Sequence, residues 1–317
     1  MSFGKKSWSD WVVEDKEKVF AVFKKAYDEG IRTYDTADMY SAGYSEVLLG
    51  EFIKKYNIKR DKIVILSKCF FPLIENKDVA PEGHEFINSR GLSRKHILDA
   101  AKASVERLGT YIDVLQIHRF DPETPIEETM EALHDVVKSG LTRYIGASSM
   151  KCYQFVMMQS VAENRGWTKF ISMQNYYNLL NREEEREMIE YCKLAGVGLI
   201  PWSPNARGIL TRPLNVEAGE TSRIKTDRFL HHLGLGNLSE ADKSIIDGVE
   251  MLAKSYGVSM AAIATAYVLS KGLNPIVGFS KPERIDDAIA ALKLKLSNKD
   301  IMFLEAPYVA KPDFFDS

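Results

Sequence analysis

The sequence predicts an α/β protein in which short strands alternate with helices around a parallel sheet. Seven apolar stretches recur along the chain, and each is followed by a polar loop and a helical pattern. Near-continuous apolar strands separated by helices indicate a parallel sheet with both faces covered. Strict alternation over residues 1–317 favours a single domain, a (β/α)8 barrel that lacks one recognisable strand.

The predicted elements follow this alternation closely. The strands are expected at 31–36, 62–67, 112–118, 142–148, 170–175, 197–202 and 275–279. The helices are expected near 15–29, 44–56, 93–108, 126–139, 151–164, 183–195, 242–255 and 282–293. Ser93 is a good N-cap and Gly109 a good helix terminator. No strand precedes the first helix, so the first barrel strand is expected to be missing.

Three segments lie outside this regular pattern. Residues 71–92 and 207–239 are longer than ordinary loops, and both follow strands. Long loops after barrel strands usually serve the site on the carboxyl-terminal face. The tail 306–317 carries Phe314 and Phe315, which could cover a pocket.

Composition narrows the possible partners and compartments. The 42 basic and 44 acidic residues leave a net charge of −2, which gives no reason to expect nucleic acid or an anionic membrane. The longest apolar stretch, 258–270, is short of the roughly 20 residues of a membrane span and predicts a buried helix. Three scattered cysteines suit a reducing compartment, and a cytoplasmic protein is expected.

Polar side chains stand where three successive strands end. Asp35 ends the first strand and Lys68 follows the second, while His118 ends the third. Tyr40 lies five residues past Asp35. A nearby ammonium would lower the pKa of a tyrosine, an aspartate would hold that ammonium, and a histidine could orient a substrate oxygen. Such a set could protonate a developing alkoxide.

Each of these residues also has an ordinary structural explanation. Asp35 could cap a helix and Tyr40 could be a half-buried aromatic residue. Lys68 could belong to a structural ion pair, and His118 could be a satisfied core histidine. Their recurrence at successive strand ends favours the catalytic interpretation.

The motifs that surround these residues resemble the aldo-keto reductase superfamily. They include "YDTADMYSAGYSEVLLGEFIK", "IDVLQIHR", "RYIGASSM", "MQNYYNLLNREEERE", "PWSPNARGIL" and "PIVGFSKPERIDDAI". Their forms are most similar to the fungal aryl-alcohol dehydrogenase-like and versiconal hemiacetal acetate reductase-like branch. The resemblance implies a TIM barrel that binds NADPH or NADP+ without a Rossmann domain, reduces a small-molecule carbonyl substrate and needs no metal. It implies that Tyr40 is the general acid, with Asp35 and Lys68 tuning it and His118 orienting the carbonyl.

The resemblance also assigns cofactor contacts. Three residues would hold the carboxamide, namely Ser148, Ser149 and Gln174. Trp202 would stack on the nicotinamide. The loop around the pyrophosphate would contain Ser203, Asn205 and Arg207. The phosphate-binding segment would begin with Gly278, Ser280 and Lys281, with Arg284 on the 2′-phosphate and Asp287 on the adenine.

Two rival functions remain open from the sequence. Members of this superfamily begin with a short hairpin and the first barrel strand, and neither is recognisable here. A nucleotide-binding regulatory protein or an inactive homologue would therefore keep the cofactor but turn over little. A Schiff-base aldolase would use Lys68 as its nucleophile.

Overall fold

The computed structural model describes residues 1–76, 78–79, 83–214, 227 and 229–312. They belong to two compact units, Met1–Met173 and Gln174–Ser317. Parts of the predicted long loops and of the tail, including Phe314 and Phe315, lie outside the described residues.

The first unit alternates strands with helices. Its strands are β1 (Thr33–Asp35), β2 (Val64–Cys69), β3 (Ile112–Ile117), β4 (Thr142–Ser148) and β5 (Phe170–Gln174), the last of which ends on the first residue of the second unit. Its helices are α1 (Lys16–Asp28), α2 (Tyr44–Lys55), α3 (Arg94–Leu108), α4 (Ile126–Lys138) and α5 (Cys152–Arg165). Two 3₁₀ turns, Arg60–Lys62 and His84–Phe86, lie in the connections.

The strands of the first unit are neighbours in chain order from β1 to β5, and the pairs from β1 to β4 are parallel. In this register Asp35 lies opposite Leu66, and Lys68 lies opposite Gln116. Because the strands are parallel, their carboxyl ends meet at one edge of the sheet. The predicted α/β class and parallel sheet are therefore confirmed.

Residues that favour helix ends cap the helices of the first unit. Asp15 caps α1 by accepting hydrogen bonds from the amides of Glu17 at 3.0 Å and Lys18 at 3.2 Å. The Ser93 hydroxyl accepts from the His96 amide at 3.3 Å at the start of α3, and Gly109 ends that helix with a φ of +66°. The left-handed backbone conformation at this position favours glycine, so the sequence predicted this helix end correctly.

The second unit is mainly helical among its described residues. Its helices are α6 (Met188–Ala195), α7 (Phe229–His232), α8 (Glu240–Tyr256), α9 (Met260–Ser270), α10 (Glu283–Lys293) and α11 (Asn298–Glu305). The short strand β6 (Gly198–Leu199) and the 3₁₀ turns Glu183–Glu185 and Ala206–Thr211 complete it. The prediction did not include α11, although Ser297 and Asp300 form its capping box.

Three predicted elements of this unit were wrong in extent. The predicted strand 275–279 is a single bridge between Ile276 and Trp202, and the predicted strand 197–202 shortens to β6. Both losses lie beside prolines, Pro275 and Pro201, which cannot donate to a sheet ladder. The predicted helix 183–195 instead begins as a 3₁₀ turn, with α6 starting at Met188.

The apolar segment at 258–270 is a buried helix, as predicted. It forms α9, in which every residue from Met260 to Val268 is buried. No single helix in the described part of the chain is long and apolar enough to cross a bilayer. Among the described residues, the pair formed by α8 and α9 is long and apolar enough, across a bend of 101°.

A buried ion pair supports the first turn of α2. Glu46 is fully buried, and its carboxylate accepts hydrogen bonds from the Ser67 hydroxyl and from Arg107 Nε, the latter at 2.6 Å. Asp38 is also fully buried, and burial and then Glu46 raise the pKa of its carboxyl well above the usual range. Arg107 thus supplies positive charge to an acidic interior.

Arg107→Met should lower the free energy of unfolding by about 3 kcal/mol, because it leaves the Glu46 carboxylate buried without its cation. Adding Glu46→Gln should recover part of that loss. Arg94→Met is the matched control, since it breaks an exposed pair with Asp135 and should cost below about 1 kcal/mol. Urea denaturation followed by circular dichroism measures all three, and equal losses for the two arginine variants would contradict the prediction.

Candidate active site

The centre of the site is a buried ion pair across β1 and β2. Lys68 Nζ donates to Asp35 Oδ2 at 2.6 Å and to the backbone carbonyl of Thr36 at 2.8 Å. The side chains are almost completely buried, with 1% of Lys68 and 8% of Asp35 exposed. Asp35 Oδ1 accepts a further hydrogen bond of 3.2 Å from Gln116 Nε2. The ammonium is therefore fixed in position by strands rather than by a loop.

Tyr40 lies in the connection from β1 to α2, against this ion pair. The residues after it, Ser41 and Ala42, have φ values of +53° and +51°, which bend the chain sharply before the helix. Lys68 Nζ lies 5.2 Å from the centre of the Tyr40 ring, so the ammonium is next to this side chain. The residue predicted as the acid therefore lies beside the predicted lysine.

His118 follows β3 and completes the group. Its backbone amide donates to the Cys69 carbonyl at 3.0 Å, which continues the pairing of β2 with β3. Its ring lies 5.8 Å from the Tyr40 ring, at an angle of 78°. Within the described part of the chain His118 Nδ1 has no hydrogen-bond partner, although it is buried. The ring therefore keeps hydrogen-bonding capacity for a ligand.

Burial and charge act in opposite directions on Lys68. Burial by itself would lower the pKa of the Lys68 ammonium, but the neighbouring Asp35 and Tyr40 outweigh it and raise that pKa above the ordinary 10.5. Lys68 is therefore a permanent cation at neutral pH. It supplies positive charge directly beside the Tyr40 hydroxyl.

The net effect on Tyr40 differs from the sequence-based expectation. Burial raises the pKa of the Tyr40 hydroxyl, and Lys68 opposes this without reversing it. The expected influence of Lys68 is thus present, but desolvation of the phenolate is the larger effect. The hydroxyl keeps its proton at neutral pH and remains available as a donor.

His118 is held neutral by its surroundings. Burial is the main reason that its pKa lies well below the ordinary 6.5, and the positive charges of Arg119 and Lys68 lower it further. A neutral imidazole can donate one hydrogen bond and accept another. This suits the predicted role of orienting an uncharged substrate oxygen.

Sequence analysis missed two polar residues of this site, Gln116 and Arg119. Gln116 could have been identified from the sequence because it is the one amide side chain in the apolar strand "IDVLQIH". Its side chain donates a hydrogen bond to Asp35. Arg119 directly follows His118, and burial lowers the pKa of its guanidinium to about 10 while Tyr40 opposes that shift. Its nearness to Tyr40 depends on how the loops fold and had no sequence signal.

The predicted carboxamide residues are all buried at strand ends. Ser148 ends β4, and its Oγ lies 3.4 Å from Oγ of Ser149, the next residue. Ser149 has a φ of +46°, so the backbone turns sharply where the strand ends. Gln174 ends β5 and is 2% exposed. Buried hydroxyl and amide groups of this kind suit a ligand that has both a carbonyl and an amine.

The second unit carries the other predicted nicotinamide residues. Trp202 stacks on Tyr176 with ring centres 4.5 Å apart and an angle of 27°. The Ser203 hydroxyl accepts from the Arg207 amide at 3.0 Å, and the Asn205 side chain accepts from the Thr265 hydroxyl at 3.5 Å. These contacts fix a loop around Trp202.

The Arg207 side chain forms an ion pair with Asp227. Its Nε donates to Asp227 Oδ2 at 2.7 Å, and both residues are buried. The predicted contact with a pyrophosphate would have to compete with this ion pair. The backbone of Arg207, with a φ of +55°, instead shapes the loop.

The remaining predicted cofactor residues surround the start of α10. Gly278, Ser280, Lys281 and Arg284 are exposed, whereas Asp287 is half-buried and lies 3.7 Å from an Arg284 nitrogen. The pKa of Arg212 is lowered by burial and then by the positive charge of Arg284. Two arginines whose charges affect each other favour an anion nearby, and Arg212 was not predicted from the sequence as a site residue.

The depressed pKa of His118 predicts how stability depends on pH. The unfolded chain protonates this histidine near pH 6.5, while the folded protein resists protonation, so the unfolded state binds more protons below that pH. Stability should therefore fall as the pH drops from 6.5 to 5. His118→Gln should flatten the fall, measured as the melting temperature against pH, and an unchanged slope would contradict this. His84→Gln, at an exposed site, is the control.

Comparison with known proteins agrees with this geometry. The model of the aldo/keto reductase family matches residues 1–307. The chain is 59% identical to a Schizosaccharomyces pombe protein named "Putative aryl-alcohol dehydrogenase C977.14c", with 98% of this chain and 91% of that protein covered. It is 52% identical to versiconal hemiacetal acetate reductase of Aspergillus parasiticus, with 98% and 92% covered.

A more distant relative extends the same pattern. The aldo-keto reductase AMT2 of Alternaria alternata is 43% identical, over 98% of this chain and 87% of that protein. A family match across nearly the whole chain and relatives at this identity support an oxidoreductase that acts on carbonyl or alcohol groups. The chain belongs to the aldo/keto reductase family.

Proposed function

We propose that this protein is an NADPH-dependent reductase that transfers a hydride to an aldehyde or ketone carbonyl, and that it runs in reverse as an alcohol dehydrogenase. One observation carries the proposal. Lys68 Nζ lies 5.2 Å from the centre of the buried Tyr40 ring and 2.6 Å from Asp35 Oδ2. This is an acid group prepared for a substrate oxygen that gains negative charge.

The acid works through a balance of burial and charge. Because burial raises the pKa of Tyr40, the hydroxyl is protonated before the reaction. When the proton leaves, the phenolate forms beside the Lys68 ammonium, which stabilises it. Asp35 keeps that ammonium charged and stationary, so little reorganisation accompanies proton transfer.

His118 has the complementary role of orientation. Its neutral ring retains an unpaired Nδ1 among the described residues, and it lies beside the Tyr40 ring. A hydrogen bond from this ring would align the substrate carbonyl with the Tyr40 hydroxyl. Phe71, with its ring centre 5.2 Å from that of His118, favours an aromatic substrate at this wall.

The residues present fit a nicotinamide cofactor with a 2′-phosphate. When bound, this cofactor supplies the hydride. Ser148, Ser149 and Gln174 would hold its carboxamide, and the Trp202 face would stack on its ring. Arg284 and Arg212 would bind the 2′-phosphate near the amino terminus of α10, where the helix dipole also favours an anion.

We extend the proposal to a (β/α)8 barrel fold. The parallel pairing of β1 to β4 in the first unit and the family match over residues 1–307 support it.

The geometry counts against the aldolase alternative. A Schiff-base lysine must lose its proton to attack a carbonyl. Asp35 and Tyr40 instead raise the pKa of the Lys68 ammonium despite its burial. Lys68 is therefore a poor nucleophile at neutral pH and a good electrostatic partner.

Tyr40→Phe should lower kcat for reduction of 4-nitrobenzaldehyde by at least about a hundredfold, because it removes the proton donor and little volume. The measurement is NADPH oxidation at 340 nm together with a fluorescence titration of NADPH binding. NADPH should still bind to the variant. Val156→Ala, at an exposed position of α5, is a control for handling and stability.

Two results would contradict the proposal. Unchanged turnover in Tyr40→Phe would exclude this residue as the acid. Tight NADPH binding by the wild-type protein with negligible turnover across aromatic and aliphatic aldehydes would instead favour a nucleotide-binding regulatory protein.

Arg284→Met should raise the Kd for NADPH by about tenfold and leave the Kd for NADH nearly unchanged, because only NADPH carries the 2′-phosphate. Fluorescence titration with both cofactors measures this. Lys293→Met removes a positive charge from the opposite end of α10 and is the matched control. Equal increases in the Kd for NADPH and for NADH would show that Arg284 does not bind the 2′-phosphate.

A further inference from the structure

Gln116 is a fully buried amide that reaches Asp35 across an intervening strand. It lies in β3, opposite Lys68 of β2 on one side and Gly146 of β4 on the other. Its Nε2 donates to Asp35 Oδ1 at 3.2 Å, while Lys68 Nζ donates to the other oxygen, Oδ2, at 2.6 Å. The hydrogen bond thus joins β1 to β3, which are not neighbours in the sheet. The chemistry proposed above gives this amide no role.

The strand next to Gln116 leaves room for its side chain. A Cβ atom at Gly146 would lie 3.1 Å from Gln116 Cγ and 2.5 Å from Ser172 Oγ, both closer than an ordinary contact. Glycine within a strand often marks such a close approach. A larger residue at position 146 would push against Gln116, so β3 and β4 together determine where the amide lies.

The direction of this hydrogen bond affects the charge state of the ion pair. A buried ammonium and carboxylate can neutralise each other by passing a proton from Lys68 to Asp35, because burial disfavours both charged forms. An amide nitrogen donates but does not accept, so the Oδ1 atom that faces it acts as an acceptor. This stabilises the negative charge on the carboxylate. The hydrogen bond therefore favours the charged pair over the neutral one.

The titratable side chains around this amide come from β1, β2 and the segments that follow β1 and β3. In the described part of the chain they are Asp35, Lys68, Tyr40 and His118. The neighbours on β4 and β5 are Gly146 and Ser172, which do not titrate near neutral pH. A carboxyl group introduced at position 116 would therefore meet one acid directly, Asp35.

We propose that Gln116 is a positioning residue of the reaction, which keeps the Asp35–Lys68 pair charged and stationary so that Tyr40 donates its proton beside a fixed cation. This inference rests on the proposed reductase function and adds to it a residue that acts through Asp35. Gln116 holds Asp35, Asp35 holds Lys68, and Lys68 stabilises the Tyr40 phenolate as the proton leaves. Gln116 thus affects the rate of the chemical step rather than the binding of the cofactor.

The first test replaces the amide with a carboxyl group of nearly the same shape. In Gln116→Glu the new carboxyl can donate to Asp35 only while it is protonated, and once ionised it repels Asp35. The readout is the single-turnover rate of NADPH oxidation by 4-nitrobenzaldehyde from pH 6 to pH 9. Relative to the wild-type protein, the rate should be within about threefold at pH 6 and should fall by a further tenfold or more as the pH rises.

Gln116→Met provides the comparison without any donor. Its single-turnover rate should be about tenfold below the wild-type rate at every pH, because the lost hydrogen bond does not titrate. The Kd for NADPH, measured by fluorescence titration, should stay within about twofold of the wild-type value in both Gln116 variants.

The matched control is Gln159, a buried glutamine of α5 with a structural role. Its amide binds the backbone of Phe170, donating to the carbonyl at 3.0 Å and accepting from the N–H at 2.9 Å. Gln159→Met should lower the melting temperature but leave the single-turnover rate and its pH dependence unchanged. A purely structural effect of Gln116 would follow this same pattern.

The second test asks whether Gln116 acts through Asp35. Asp35→Asn removes the charge that the amide is proposed to hold. Adding Gln116→Met to Asp35→Asn should therefore slow the single-turnover rate by less than about twofold, against about tenfold in the wild-type background. The difference between these two effects measures the coupling of the two residues.

Several outcomes would overturn the inference. A Gln116→Glu rate far below the wild-type rate at pH 6 that does not change with pH would do so even if Gln116→Met failed to fold. Equal effects of Gln116→Met with and without Asp35→Asn would show that the glutamine does not act through the ion pair. Failure of the wild-type protein to reduce 4-nitrobenzaldehyde or other aldehydes would overturn the reductase function itself, which is a distinguishable result.

Discussion

The buried Asp35–Lys68 ion pair is the interaction on which the site depends. Either charge alone would be strongly disfavoured at this depth, so the two must be buried together. The parallel register makes this possible, because Asp35 lies opposite Leu66 and Lys68 stands two residues farther along the same strand. Side chains two residues apart share one face of a sheet, so both point to the same side, where Gln116 joins them.

This pair places a positive charge beside Tyr40 and His118, which are themselves neutral. Burial disfavours the phenolate of Tyr40 and the imidazolium of His118 for the same physical reason, the loss of hydration of the charged form. Lys68 stays charged despite its burial, because Asp35 and Tyr40 raise the pKa of its ammonium. The outcome is a protonated donor, a neutral hydrogen-bonding ring and a fixed cation, which lie on β2 or in the segments that follow β1 and β3.

The second unit uses a different physical principle. Its predicted phosphate residues are mostly exposed and lie around the start of α10, where their charges can contact a solvated anion. Its interior charges are instead used to shape loops, as in the buried Arg207–Asp227 pair. Cationic groups thus have two uses in this chain, and only burial with a partner distinguishes a structural arginine from one available to a ligand.

The sequence by itself determined the α/β alternation, most helix ends and the four polar residues at the strand ends, because apolar periodicity, capping residues and strand-end chemistry are local along the chain. The sequence did not show that the predicted strands near Pro201 and Pro275 would be shortened, because it does not identify the neighbouring strands with which they pair. The tertiary structure alone decided the partners of Arg107, Arg119 and Arg207. An arginine side chain can reach in many directions, and which acid, ring or carbonyl it meets is set by segments distant in sequence.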